Sequence, residues 1–125
     1  MYITTEHGFI SVVADCMTPD RVIVRAHRGD HLRALFPDLP WGSIEQMGHL
    51  YRGEAFSADD YHYRVFITRD QLREMMLRQV DELQIGTFRE RIADPEYYDA
   101  CNRARREMYR MDRSVSYYWK MLDGE

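Results

Sequence analysis

The chain has 125 residues, 30% of them charged and 45% hydrophobic, and a net charge of −4. That length supports a core burying roughly two thirds of the unfolded surface without disulfide staples. The apolar runs are too short to span a bilayer, and an acidic chain repels phosphate backbones on average.

The N-terminus, Met1-Tyr2-Ile3-Thr4-Thr5-Glu6, has neither the positive n-region nor the apolar h-region of a signal peptide, so a cytoplasmic location is expected. Tyr2-Ile3-Thr4 reads as a strand that turns at Glu6-His7-Gly8 and returns through Phe9–Ala14. The return strand is apolar on both faces, which suits a central position in a sheet. Pro19 presets the turn Thr18-Pro19-Asp20. Arg21–Ala26 is the third strand, with Val22, Val24 and Ala26 inward.

Gly29-Asp30 opens a short helix with Asp30 as N-cap and Leu32, Leu35 and Phe36 as its buried stripe, ended by Pro37. Residues 37–60 form the least regular stretch, read as a long loop with one helical turn around Ile44–Leu50. Tyr61, Tyr63, Val65 and Ile67 then alternate with polar positions, as a half-buried strand requires. Thr68-Arg69-Asp70-Gln71 matches a capping box, and Leu72, Met75, Met76, Val80 and Leu83 follow at helical spacing. Gly86 is a break. Thr87-Phe88-Arg89-Glu90 has the form of a second capping box, for a short helix through Ile92.

Asp94-Pro95-Glu96 is a strong helix start, with Asp as N-cap and Pro in the first position. In that last helix Tyr97, Cys101, Ala104, Met108, Met111, Val115, Tyr118 and Leu122 step by fours and threes, matching a heptad seam. These elements predict an α+β fold: a single small, mainly antiparallel sheet of about four strands packed by helices. One domain over 1–125 is expected, with a long loop at 37–60 and a C-terminal helix at 95–122. If the strands flanking the first helix were parallel, their crossover would be right-handed.

No pattern defines a reaction. Phosphate-binding glycine loops, a nucleophile elbow and a zinc-protease helix motif are all missing, and no catalytic residue, cofactor or metal site is expected. His27 and His31 are four apart, but Gly29 and a strand end intervene, so they read as exposed loop histidines. Cys16 and Cys101 read as reduced thiols, Cys101 as a small core hydrophobe. The strongest polar constellation is Arg103, Arg106, Arg110 and Arg113 along the last helix, interleaved with Tyr109, Tyr117, Tyr118 and Trp119. Arg, Tyr and Trp are the residues enriched at protein interfaces, and the same mixture suits single-stranded nucleic acid.

The segments Tyr2–Val13, Arg21–Ala26 and Tyr63–Arg69 together resemble small proteins encoded by mycobacteriophages and other actinobacteriophages, and related actinobacterial chains. The likeness lies in structural residues of the strands and the helix after Thr68. It implies an accessory protein with no catalytic motif, acting in the host bacterial cytoplasm. The basic residues are sixteen arginines and the single Lys120, a bias that fits a high-GC genome.

The leading expectation is therefore a non-enzymatic interaction protein that binds another protein or itself and modulates a host process. The alternative is a nucleic-acid-binding accessory protein using the C-terminal arginine and aromatic residues, duplex being disfavoured by charge. A small enzyme with a site in the loop after Pro40 ranks third.

Overall fold

The computed structural model describes residues 1–40, 42–47 and 61–122, and side chains as far as Met111. The chain forms two compact units, Met1–Ile85 and Gly86–Glu125. The fold is α+β.

The first unit is built on one antiparallel sheet of five strands: β1 (Tyr2–Thr5), β2 (Gly8–Ala14), β3 (Arg21–Ala26), β4 (Glu45–Gln46) and β5 (Tyr63–Thr68). Their order across the sheet is β1-β2-β3-β5-β4. β3 and β5 run antiparallel, Val24 opposite Val65, so the right-handed parallel crossover does not arise. The strand that follows α1 (Gly29–Leu35) is β4, which pairs antiparallel with β5 and therefore runs parallel to β3, so the reversal of direction falls between β4 and β5. The helical turn expected around Ile44–Leu50 is instead the short strand β4, with Glu45 opposite Arg64, as far as Met47; residues 48–50 lie outside the described residues, as do Trp41 and most of the expected loop.

The period of two decides the core. Ile10, Val12, Val22, Val24, Ala26, Val65 and Ile67 alternate onto one face, where Leu32, Leu35 and Phe36 of the α1 region and Met75 close over them. Gly8 starts β2 where α1 comes closest: a Cβ there would lie 2.5 Å from the His31 Cβ. What the position demands is the missing side chain rather than the turn. His31 is itself buried, and its Nδ1 accepts from the Phe9 N–H at 3.2 Å. The reading of His31 as an exposed loop residue is thereby corrected.

Asp30 does not cap α1. Arg28 holds the N-cap position without a side-chain bond, and Asp30 sits in the first turn with both oxygens taken by the Arg28 guanidinium at 3.0 and 2.9 Å. α2 (Arg69–Asp81) begins as the capping box requires: Thr68 Oγ1 accepts from Gln71 N at 3.1 Å, and Gln71 Oε1 accepts from Thr68 N at 2.8 Å. Arg69 N donates to the Asp20 carbonyl, tying the start of α2 to the turn before β3.

The stripe on α2 is buried only at its beginning. Met75 is in the core and Leu72 packs against it, whereas Met76, Val80 and Leu83 are exposed. Because Arg69 follows Thr68 with no loop, only the first turns of α2 lie over the core, and the last turns run past it.

In the second unit, a 3-10 turn (Phe88–Arg91) precedes α3 (Pro95–Leu122). Thr87 makes no side-chain cap, so the second capping box does not form; a 3-10 turn of this length is closed by its own i to i+3 bonds. Asp94 does cap α3, its Oδ1 accepting from Glu96 N at 2.9 Å and Tyr97 N at 3.2 Å. Arg89 donates to Asn102 Oδ1 at 2.8 Å and fixes the 3-10 turn on the helix. Among the described residues, no helix is long and apolar enough to cross a membrane.

Candidate interaction surfaces

Of the residues expected to carry interaction, Arg103, Arg106, Tyr109 and Arg110 lie exposed along α3. Arg110 pairs with Glu107 one turn earlier, which neutralises part of the arginine stripe. Arg113, Tyr117, Tyr118 and Trp119 belong to the same helix, but their side chains lie outside the described residues. Along the seam, Tyr97 and Cys101 are buried, while Met108 and Met111 are exposed.

The first unit carries an apolar surface of its own. Met76, Leu77 and Val80 on α2 continue into Leu83 and Ile85, with Leu77 62%, Val80 59% and Leu83 75% exposed. The helical spacing of Leu72, Met75, Met76, Val80 and Leu83 announces part of this surface, without Leu77 or Ile85, and predicts that Leu72, Met76 and Val80 pack on the sheet. Exposed apolar residues scattered singly need no explanation; several in register on one helix do.

A third surface was missed. α1 and the first turns of α2 cover one face of the sheet, and the opposite face carries aromatic and arginine residues in rows across the strands. One row runs Tyr2, Ser11, Arg25, Arg64, Glu45 through the paired positions of all five strands. Two residues along, Phe9, His27 and Tyr61 form a row of near-parallel rings. Phe9 and His27 are 6.4 Å apart at 11°, and His27 and Tyr61 4.4 Å apart at 25°. Tyr2 stands 5.7 Å from Phe9 at its edge.

Tyr61 thus joins the face opposite Tyr63, Val65 and Ile67, contrary to the simple alternation: it precedes the first residue of β5 and need not keep the pleat. On the other side Phe66 lies between two guanidinium groups, Arg21 at 4.6 Å and Arg64 at 5.1 Å from its centroid.

The charges on this face are unequally matched. Arg21 is held by Asp15 at 2.7 Å, and Arg64 by Glu45 at 2.8 Å. Asp15 is buried; the Met17 backbone N–H, then the Arg21 guanidinium, hold its carboxyl below the usual carboxylate range. Arg25 has no carboxylate partner among the described residues. One Nη donates to Ser11 Oγ at 2.8 Å, its Cζ lies 4.9 Å from the Tyr61 ring centroid, and its Nε is buried with no acceptor among the described residues. An unsatisfied buried donor costs about 1–3 kcal/mol. The alternation of Ser11, Arg25 and Arg64 with apolar neighbours was the available signal, but reading it required the strand order.

Among the described residues, hollows border the first unit. One, of about 370 Å³, is lined by Arg33, Phe36, Pro37, Leu39, Pro40, Gly42 and Ile44. Arg33 is the single ionisable group in that lining, so no acid–base pair converges there. The other, of about 330 Å³, lies over Gly29 beside His27 and Tyr63. Glu6, His7 and Glu82 are the one trio of potential metal ligands among the described residues; His7 Nε2 pairs with Glu82 at 3.3 Å and Glu6 at 3.6 Å. Compared with known proteins, the chain matches no protein-family model, no curated protein and no solved structure.

Proposed function

We propose that this protein is a non-enzymatic accessory protein of the phage type that acts in the host bacterial cytoplasm by binding another protein. The observation that carries this reading is the apolar stripe of Met76, Leu77 and Val80, exposed on α2 at helical spacing and continued by Leu83 just beyond the helix. Water-exposed apolar area of this kind is stabilised when a partner buries it, at about 25 cal/mol per Å². α3 adds Met108, Tyr109 and Met111 with Arg103 and Arg106, the residue types favoured at protein interfaces.

The test is affinity capture from a nuclease-treated lysate of a candidate actinobacterial host, with wild type beside Leu77→Asp/Val80→Asp. A partner held by wild type and lost by the folded double variant supports the reading. A partner retained by the variant and released by nuclease treatment removes it in favour of nucleic-acid binding through the α3 arginines.

A further inference from the structure

Glu6 and His7 occupy the turn between β1 and β2, and Glu82 holds the C-cap position of α2. His7 and Glu82 are 75 residues apart in the chain, yet the fold of the first unit brings both carboxylates to one ring nitrogen. His7 Nε2 lies 3.3 Å from Glu82 Oε2 and 3.6 Å from Glu6 Oε1. The three ligand atoms all stand within 4.8 Å of one another.

An ion pair accounts poorly for this convergence. Nε2 carries at most one hydrogen, so it can donate to one carboxylate and not to both. Charge-assisted N–H···O bonds are about 2.7–2.9 Å long, shorter than either separation here. Ligands that share a cation fit better: nitrogen and oxygen atoms about 2.0–2.1 Å from a tetrahedral zinc stand about 3.3–3.4 Å from each other. Charge agrees. Two carboxylates and a neutral imidazole carry two negative charges, which a divalent cation balances and an imidazolium only halves.

We infer that Glu6, His7 and Glu82 bind a zinc ion, with water in the fourth position. A ring nitrogen with two carboxylates is a donor set for zinc and its first-row neighbours. Calcium takes about six to eight oxygens and magnesium a near-ideal octahedron, neither of which this trio supplies. The backbone on both sides is already held. His7 N–H donates to Thr5 Oγ1 at 3.0 Å, and Glu82 N–H donates to the Arg78 carbonyl at 3.0 Å, so side-chain rotation alone closes the site. The ion joins the hairpin turn to the end of α2. This site stands apart from the partner-binding reading and does not rest on it.

The experiment strips the full chain of metal and titrates Zn2+ in competition with a chromophoric zinc chelator. Wild type is expected to take up one equivalent with micromolar or tighter affinity. His7→Ala and Glu82→Gln should each weaken uptake by about tenfold or more, at least what the loss of an outer partner of a metal ligand costs. Cys16→Ser, which removes the exposed thiol, should leave affinity unchanged. Zn2+ should raise the melting temperature of wild type and not that of Glu82→Gln, since a ligand stabilises only the state that binds it.

The proposal is overturned by any of four results. These are no uptake at micromolar Zn2+; equal affinity for Ca2+; affinity unchanged in His7→Ala; or affinity lost in Cys16→Ser. If circular dichroism shows a variant unfolded, the imidazole resonances of wild type on titration with Zn2+ decide. Shifts at the His7 ring support the site, and shifts confined to other histidines refute it.

Discussion

Arg78, near the end of α2, donates an Nη–H to the carbonyl oxygen of Leu35 at 3.0 Å, satisfying an acceptor in the last turn of α1. The last carbonyls of a helix have no partner of their own, and a cation there also meets the negative end of the helix dipole. One side chain thus ties together two helices that are far apart in sequence. Arg78→Ala should cost about 1–2 kcal/mol in urea denaturation, and Arg78→Lys should recover part of it. A variant as stable as wild type would mean that water serves Leu35 equally well.

Burial sorts the positions of β5 and α2 into two groups. Ile67→Ala and Met75→Ala should each destabilise by about 2–5 kcal/mol, because both side chains are enclosed and leave a cavity. Val80→Ala, on the same helix as Met75, should stay within about 0.5 kcal/mol. Chemical denaturation of the three variants checks this, and a large loss at Val80 would show that its surface is covered in solution.

The capping box has a measurable share. Thr68→Ala should lower stability by about 1 kcal/mol, with a smaller loss for Gln71→Ala, since each removes one partner of an orphan backbone N–H. Thr87→Ala should do nothing comparable, because Thr87 makes no side-chain cap.

Asp15 sets part of the acid limb of stability. Its folded pKa lies below its unfolded value, so the unfolded chain binds the proton more readily and Asp15 stabilises the fold above the unfolded carboxylate pKa. That contribution disappears as pH falls through the folded pKa. Asp15→Asn should therefore be less stable than wild type at neutral pH, with the difference shrinking in acid. A gap that is constant with pH would remove the ionised carboxylate as the cause.

The 125-residue chain should show no salt-sensitive micromolar affinity for duplex DNA at physiological ionic strength, since its net charge is −4. An electrophoretic shift that vanishes in Arg106→Gln/Arg110→Gln would contradict this and move binding to α3.

Much of the fold follows from local rules. The alternation in Arg21–Ala26 and Tyr63–Thr68, the Thr68–Gln71 box and the Asp94-Pro95 start depend on neighbours within a few residues, and each forms as the sequence predicts. Periodicity also marks the α2 stripe, but it cannot say where a helix stops touching the core. That depends on the join at Thr68-Arg69, which leaves Val80 and Leu83 outside. It likewise cannot show that Asp30 is claimed by Arg28 or that His31 turns inward against β2. The sheet's outer face is the clearest case. Ser11, Arg25, Arg64 and Glu45 come from four strands spread along the chain, and Tyr61 joins their face from outside the pleat. Long-range pairing puts these residues in one plane and leaves Arg25 without a carboxylate among the described residues, and pairing between distant segments is what local sequence does not encode.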